Sequence, residues 1–250
     1  MSVASVKLAS VIDESAYKPS LKKWRNWLDS PAGQQLLAAE QQALDRIMPG
    51  LFGYHLLSQS VAGSRQLAQQ STIRHIMHSL PSARGELPFG GLVMRPDELP
   101  FAENSLDVIV LHHVLDFARQ PHQVLREAIR ALIPSGHLVV VGYNPAGLTR
   151  LRRWPALSKS RLNDWLTLLS CRVEHRQGHF VHRFNGPVLN YCQHGLADWF
   201  GVFSVTVACK EVSSMIPIRP SWRVRPLLPM PVARPSMRNP KAMRNPKGDN

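Results

Sequence analysis

Two adjacent histidines, His112 and His113, are the residues whose type and position most directly suggest chemistry. They interrupt an otherwise apolar stretch, which reads DVIVLHHVLDF over residues 107–117. Imidazole groups at such a place could bind a metal ion, act as a catalytic pair, or line a pocket at the end of a buried strand. A metal site needs several converging ligands, and no further ligand set at suitable spacing is evident, so no metal is predicted.

The flanking sequence predicts that the histidines follow a buried parallel strand. Residues 107–111 and 137–143 are almost wholly apolar, as expected for strands that are buried on both faces. The stretch between them predicts a helix that begins at Pro121 and ends at Pro134 and Gly136. Its apolar stripe contains Val124, Leu125, Ala128, Ile129, Leu132 and Ile133. A strand, a helix and a second strand predict a βαβ unit with a right-handed crossover.

Two helices are predicted before the first strand, as a cover over a later core. The first occupies residues 20–29, and the second begins at Ser30 and Pro31, with serine as the cap and proline at the first helical position. Further strands are predicted at residues 54–61, 73–77, 90–94, 171–175 and 202–209, and a further helix at residues 161–170.

The composition favours an anionic partner and a reducing compartment. The 250-residue chain has a formal net charge of +13 and a sequence pI of about 10.4, which favours nucleic acid, anionic lipid or phosphorylated ligands but also suits an ordinary enzyme with a basic surface. Cys171, Cys192 and Cys209 form no CxxC motif, so a disulfide framework and a zinc ribbon are excluded. With no apparent signal peptide and no run long enough to span a membrane, the prediction is a cytoplasmic protein.

The domain prediction has three parts: a flexible N-terminus over residues 1–19, a folded domain over residues 20–213, and a basic, proline-rich tail over residues 214–250. The tail contains the tandem repeat MRNPKA–MRNPKG and is predicted to be disordered and to bind polyanions such as RNA. A second basic stretch, residues 148–161, could assist such binding.

Residues 99–145 resemble the second half of a class I S-adenosylmethionine-dependent methyltransferase of the type 11 group, in an uncharacterised bacterial subgroup. The resemblance rests on LPF with the polar turn after it, the strand SLDVIV, the helix pattern L-R-E-x-x-R-x-L, and PSGHL before the next strand. It implies an α/β fold, a Rossmann-like three-layer sandwich whose mainly parallel sheet has an antiparallel last strand. It also implies S-adenosylmethionine as cofactor and a methyl acceptor of unknown identity.

The resemblance places the cofactor at the carboxyl ends of the first and fourth strands. The residues expected to line it are Ser60, Gly63, Asp97, Leu111 and His112. For His112 a structural role, capping the strand or packing under a loop, is the alternative. No catalytic residue is assigned, since positioning of the acceptor carries most of a methyl transfer.

The first half of the family pattern is degenerate. Ser58 stands where the family has an acidic residue, and Arg95 stands where it has an aspartate near the adenine. The glycine positions of the first-strand loop hold small residues, namely Ser60, Ala62 and Ser64. Between Gly63 and Arg95 only Glu86 is acidic, and it is too far along to grip the ribose. These departures imply weakened cofactor binding. The alternative function is a catalytically inactive scaffold that binds an anionic partner such as RNA.

Overall fold

The structure is a computed structural model that describes residues 16–62, 67–68, 70–80, 91–145, 154–179, 181 and 201–211. All of these belong to one compact unit, which spans residues 1–213. The predicted basic tail, Gly63 and Cys192 lie outside the described residues. Cys171 and Cys209 are free thiols. Among the described residues no helix combines the length and the apolar character needed to cross a bilayer.

Seven strands form one sheet in the order β3-β2-β1-β4-β5-β7-β6. The first five pair in parallel, while β7 runs antiparallel to both β5 and β6. This confirms the predicted α/β fold with a mainly parallel sheet and an antiparallel last strand. The strands are β1 (His55–Ser60), β2 (His75–Leu80), β3 (Gly91–Val93), β4 (Leu106–His112), β5 (Leu132–Tyr143), β6 (Cys171–His179) and β7 (Phe203–Lys210).

The described helices are α1 (Ser20–Leu28), α2 (Pro31–Ile47), α3 (Val114–Phe117), α4 (Pro121–Ala131) and α5 (Lys159–Leu168). The predicted cap of α2 is confirmed, because the Ser30 hydroxyl accepts a hydrogen bond from the Gly33 N–H at 3.2 Å. A Cβ atom on Gly33 would lie 2.4 Å from the Leu28 Cα atom, so only glycine lets α1 and α2 approach this closely. The cap and the close crossing fix the angle between the two covering helices.

The predicted βαβ unit is present, with a different boundary between its helix and its second strand. The buried stripe of α4 is as predicted, but Leu132 already belongs to β5, where it pairs with Leu106. The pairing then shifts, so that Val108 lies opposite His137 and the intervening residues of β5 bulge out, with Ser135 at φ 64°. Pro134 explains the early end of the helix, because it disfavours helical backbone at the residue before it.

Two further strands, β2 and β6, differ from the predicted bounds by more than one residue. β2 begins two residues later than expected, because Ser71 and Thr72 hold the connection before it: the Ser71 hydroxyl accepts from the Ile73 N–H at 3.2 Å, and the Thr72 hydroxyl donates to the Leu51 carbonyl at 3.2 Å. β6 continues to His179, beyond the predicted end at residue 175, because pairing with β7 draws its polar second half into the sheet. In both cases hydrogen bonding decided the boundary and hydrophobicity did not.

The packed part of the chain begins before the predicted domain start at residue 20. Ala16 and Tyr17 are buried, Tyr17 forms an antiparallel bridge with Ala118, and the Arg119 N–H donates to the Ala16 carbonyl at 2.9 Å. The segment before α1 therefore lies against the chain that follows β4. It reaches the place where the strand order reverses between β1 and β4, which is where open α/β sheets bind ligands.

Candidate functional site

The carboxyl end of β4 is hydrogen-bonded to the chain on each side of it, at the end of β1 and in β5. The Val61 N–H, just after β1, donates to the His112 carbonyl at 3.3 Å, and the His113 N–H donates to the Val141 carbonyl of β5 at 2.9 Å. His113 has a left-handed backbone, with φ 56°, and α3 begins at the next residue. This sharp turn directs the two adjacent imidazole rings to the same side of the strand end.

Both histidines contact one carboxylate from the covering helices. The Glu40 side chain on α2 lies between them, with Oε2 2.8 Å from Nε2 of His112 and Oε1 2.8 Å from Nε2 of His113. All three side chains are fully buried. A buried carboxylate is costly unless it is paired, so these two contacts anchor α2 to the sheet.

The outer nitrogen of each imidazole also has a partner. Nδ1 of His112 lies 2.9 Å from the Ser60 hydroxyl at the end of β1, and Nδ1 of His113 lies 2.9 Å from Asp116 Oδ2. The Asp116 carboxylate additionally accepts the N–H groups of Tyr143 at 2.9 Å and of Leu157 at 3.0 Å. We refer to Ser60, Glu40, His112, His113 and Asp116 as the Glu40 cluster.

The pKa shifts in the Glu40 cluster indicate which of its side chains are charged. Burial raises the pKa of Glu40, but the His113 charge and the hydrogen bonds from both histidines outweigh burial and lower it to about 2. Burial lowers the pKa of His113, but the Glu40 charge and the bonds to Asp116 and Glu40 raise it to about 9. Burial dominates at His112, whose pKa is lowered. The cluster therefore holds an ionised Glu40, an imidazolium at His113 and a neutral His112.

The neutral His112 has a definite tautomer. Its Nε2–H donates to Glu40, which leaves Nδ1 to accept the hydrogen bond of the Ser60 hydroxyl. Aromatic rings close the cluster from solvent: the ring of Tyr143 lies 4.4 Å and that of Trp24 5.3 Å from the His113 ring, and the Trp24 Nε1–H donates to the Tyr143 hydroxyl at 2.7 Å. Because these side chains are fully buried, loss of one partner leaves an unpaired polar group.

A metal ion is the alternative occupant of this centre. The donor atoms of Glu40, His112 and His113 all lie within 4.8 Å of one another, and both imidazoles carry the outer hydrogen bonds typical of metal ligands. The local sequence offered no such third ligand; the fold supplies Glu40. The 2.8 Å contacts are nevertheless complete hydrogen bonds that protons alone satisfy. The absence of a metal stays a prediction.

A cationic pocket lies beside α1. Its cavity has a volume of about 330 Å³ and is lined by Tyr17, Lys18, Pro19, Leu21, Lys22, Arg25 and Arg119. Two bonds fix its place in the fold: Lys18 Nζ donates to the Asp116 carbonyl at 2.7 Å, and Arg25 Nε donates to the Val61 carbonyl at 2.9 Å. The pocket therefore lies beside the carboxyl ends of β1 and β4, and we call it the α1 pocket.

The structure brings some of the predicted cofactor residues together. Ser60 and His112 are hydrogen-bonded partners, and Leu111 is fully buried in β4 opposite Gln59. Asp97 lies on the loop after β3, paired with Arg95 at 2.9 Å, and its charge contributes to the raised pKa of Tyr17, although burial of Tyr17 is the larger cause and the Arg25 charge opposes it. Asp97 is thus close to the α1 pocket. Gly63 lies outside the described residues.

Glu40, Asp116 and the cations of the α1 pocket were not predicted as site residues from the sequence. One of them carried a signal: Glu40 occupies the helical stripe that also contains Leu36, Ala43 and Leu44, so an acidic residue faces the core among apolar neighbours. A carboxylate in such a stripe predicts a buried partner. Lys18 and Arg119 carried no comparable signal, because the bridge that brings them together joins segments about a hundred residues apart.

Comparisons with known proteins agree with this architecture. The family described as "Methyltransferase domain", of the type 11 group, matches residues 59–140. An uncharacterised protein of Escherichia coli (strain K12), YafS, is 33% identical over 179 residues, which cover 66% of this chain and 73% of that protein.

Two solved structures share the fold at low identity. An S-adenosylmethionine-dependent methyltransferase from Mesorhizobium loti has a TM-score of 0.52 and 14% identity, covering 70% of this chain and 99% of its own. A SAM-dependent methyltransferase from Thermotoga maritima has a TM-score of 0.55 and 19% identity, covering 77% of this chain and 97% of its own.

Proposed function

The chain belongs to the type 11 methyltransferase-domain family, for which S-adenosylmethionine is the cofactor, and on this premise we propose that it transfers the cofactor's methyl group to an acceptor bound beside the carboxyl ends of β1 and β4. The observation that carries the proposal is the reversal of strand order between these two strands, which creates the ligand crevice of open α/β sheets.

Two unsatisfied polar atoms on β1 fit a ligand rich in hydrogen-bond donors. The Ser58 hydroxyl and the Gln59 side-chain oxygen are buried and have no hydrogen-bond partner among the described residues. A buried acceptor without a partner costs about 1–3 kcal/mol, so a bound amino or hydroxyl group at this strand would relieve a penalty. S-adenosylmethionine offers an amino group and ribose hydroxyls. Under this proposal it lies along the ends of β1 and β4, lined by Ser60, Gly63, Asp97, Leu111 and His112.

When bound, the cofactor supplies an electrophilic methyl group on a sulfonium ion. The contribution of the protein is to hold the acceptor in line with that methyl group and to exclude water. The Glu40 cluster does this indirectly: it joins α2 to the ends of β1 and β4, and its buried imidazoles have no contact with solvent through which to exchange protons with an acceptor. We therefore assign the cluster a positioning role, and Ser60 and His112 face the cofactor through their backbone.

The proposal includes weakened binding of the cofactor. It is supported by Arg95, Ser58 and the small residues at the glycine positions, all of which depart from the family pattern. Each charge-assisted hydrogen bond that is missing costs about 1.5–3 kcal/mol, so affinity falls by one to several orders of magnitude relative to an intact site. We further propose a cytoplasmic location and polyanion binding through the basic tail, both of which rest on the sequence.

The test is calorimetric titration of the protein with S-adenosylmethionine. We expect saturable binding with a Kd in the range of about 10 μM to 1 mM. Ala62→Arg adds bulk and positive charge at the turn after β1 and should abolish binding, whereas Gln42→Arg on the exposed face of α2 should leave it unchanged. Submicromolar affinity would contradict the weakened site, and no binding at millimolar ligand would indicate the inactive scaffold instead.

A further inference from the structure

We propose that the α1 pocket binds an anionic group of the methyl acceptor, so that the acceptor is a small molecule carrying a carboxylate or a phosphate. This inference rests on the proposed function and specifies its substrate class.

The residues that line the pocket are one-sided in charge, although the Asp97 carboxylate lies close by. Four of the seven lining residues are cationic, namely Lys18, Lys22, Arg25 and Arg119, and none of the seven is acidic. The cations come from two segments of the chain: three belong to α1 and the residues just before it, and Arg119 follows α3. Cations that converge from separate segments around a cavity are the arrangement by which proteins recognise carboxylates and phosphates.

The contacts of two of these cations leave their charge available. Lys18 Nζ donates to the backbone carbonyl of Asp116 at 2.7 Å, while the carboxylate of Asp116 already accepts hydrogen bonds from His113, Tyr143 and Leu157. Arg119 Nε donates to the Tyr17 carbonyl at 3.1 Å, and no described residue places a carboxylate within ion-pair distance of its guanidinium. The carbonyl oxygens orient the Lys18 ammonium and the Arg119 guanidinium without neutralising their positive charge.

Burial makes an incoming anion favourable. Desolvation lowers the pKa of the half-buried Lys18, and the charge of Asp116 opposes that effect only in part. An anion beside Lys18 would restore the stabilisation that its ammonium group lost on leaving water. The amino end of α1 adds to the attraction, because Pro19 lines the pocket directly before the first residue of the helix.

The same charge argues for the acceptor over the cofactor as the occupant. S-adenosylmethionine carries a sulfonium, an ammonium and one carboxylate, so its net charge is positive and a ring of cations repels it. An anionic acceptor is attracted to the same ring. Because Lys18 and Arg25 are bonded to the residues that follow β4 and β1, an acceptor held there lies beside the crevice in which the cofactor is proposed to bind.

The experiment uses inorganic phosphate as the probe, titrated into the full-length protein by calorimetry. We expect saturable binding in the millimolar range, and binding weaker by at least 10-fold in the double variant Lys18→Gln/Arg119→Gln. Arg119→Lys keeps the charge and should retain most of the affinity. Arg126→Gln, an exposed arginine on α4, is the matched control and should not differ from wild type. Thermal unfolding of each variant confirms that it is folded.

A second titration distinguishes the acceptor from the cofactor. Phosphate is titrated into protein saturated with S-adenosylmethionine, whose own binding has been measured first. Unchanged phosphate affinity supports an acceptor site. Competitive displacement would overturn it, because the pocket would then hold the carboxylate of the cofactor. Equal affinity in wild type and the double variant, or no phosphate binding at 50-fold above the expected range, would also overturn it. Failure of the cofactor to bind at all would count against the proposed function and is seen independently of the phosphate result.

Discussion

The Glu40 cluster and the α1 pocket both border α1, but their charged groups are paired differently. In the cluster the carboxylate of Glu40 and the imidazolium of His113 are fully buried, and each polar atom has a partner at 2.8–2.9 Å. In the α1 pocket Lys18 and Arg119 are oriented by neutral carbonyl oxygens. The first arrangement pairs charge with charge, whereas the second leaves Lys18 and Arg119 without an ion pair to any described carboxylate.

This difference separates a positioning role from a binding role. Buried charges that are fully paired contribute little to recognition, but removing one partner is strongly destabilising. Lys18 and Arg119, whose cationic groups donate to carbonyl oxygens at a cavity, favour binding of anions. The most unusual side chains at the ends of the strands, the paired histidines, are therefore not the ones expected to contact substrate. Their network sets the position of α2, which packs closely against α1 at Gly33, and α1 carries the pocket.

The largest expected effect is the loss of stability when the cluster is broken. Glu40→Ala removes the carboxylate between His112 and His113 and leaves a buried imidazolium with one partner fewer, which should lower the free energy of unfolding by about 3–5 kcal/mol. Denaturant titration measures the change. Gln42→Ala, two residues away on the exposed face of α2, controls for helix propensity and should change stability by less than about 0.5 kcal/mol. A loss in Glu40→Ala no larger than in the control would show that the cluster does not anchor α2.

A smaller effect on stability follows from pH. His113 has a folded pKa of about 9, above its unfolded value near 6.5, so its contribution is fully present below pH 6.5 and is lost as the pH rises through 9. The resulting loss is on the order of 3 kcal/mol. His112 acts oppositely: its lowered pKa makes the fold lose stability as the pH falls below 6.5. Stability should therefore be highest near pH 6.5–7.

The variant His113→Asn isolates the alkaline part of that profile, since asparagine tolerates the left-handed backbone at this position. Unfolding free energies of wild type and variant are measured from pH 6 to 9.5. The difference between the two proteins should shrink as the pH rises. Parallel profiles would mean that His113 is neutral in the folded protein, and the contrast between a charge-paired cluster and the cationic α1 pocket would then be lost.

The sequence predicted the fold better than it predicted either charged region, for a physical reason. The βαβ unit from β4 to β5 follows from local apolar periodicity, and the family resemblance placed the histidines at the end of β4. Glu40 lies 72 residues from its first imidazole partner, so no spacing rule connects them. The α1 pocket depends on the Tyr17–Ala118 bridge. Because backbone groups form this bridge, the side-chain types in the sequence do not predict it. The spacing of apolar residues predicts which face of a single helix or strand is buried. Ion pairs between distant elements can be identified only once the tertiary fold is known.

The basic tail is a third set of cations, to be compared with the Glu40 cluster and the α1 pocket. Its removal should leave the free energy of unfolding of the folded domain unchanged. Residues 214–250, which lie outside the described residues, contain eight basic residues against Asp249: Arg219, Arg223, Arg225, Arg234, Arg238, Lys241, Arg244 and Lys247. Because each phosphate contact releases counterions, the slope of log affinity against log salt changes by about 0.7 per contact for single-stranded RNA. A shortened chain ending at Ser213 should bind RNA more weakly and with a shallower slope than the full chain.

The matched measurement is phosphate binding at the α1 pocket, which should be the same in the full and shortened chains, because a small ion needs only the residues that line the cavity. Anionic vesicles, titrated in parallel, distinguish a tail that recognises RNA from one that binds any polyanionic surface. If truncation leaves both the RNA affinity and its salt slope unchanged, the tail contributes no phosphate contacts. Any RNA binding would then have to come from residues outside the tail. If truncation instead weakens phosphate binding as well, the α1 pocket is not the self-contained anion site that the geometry of Lys18 and Arg119 implies.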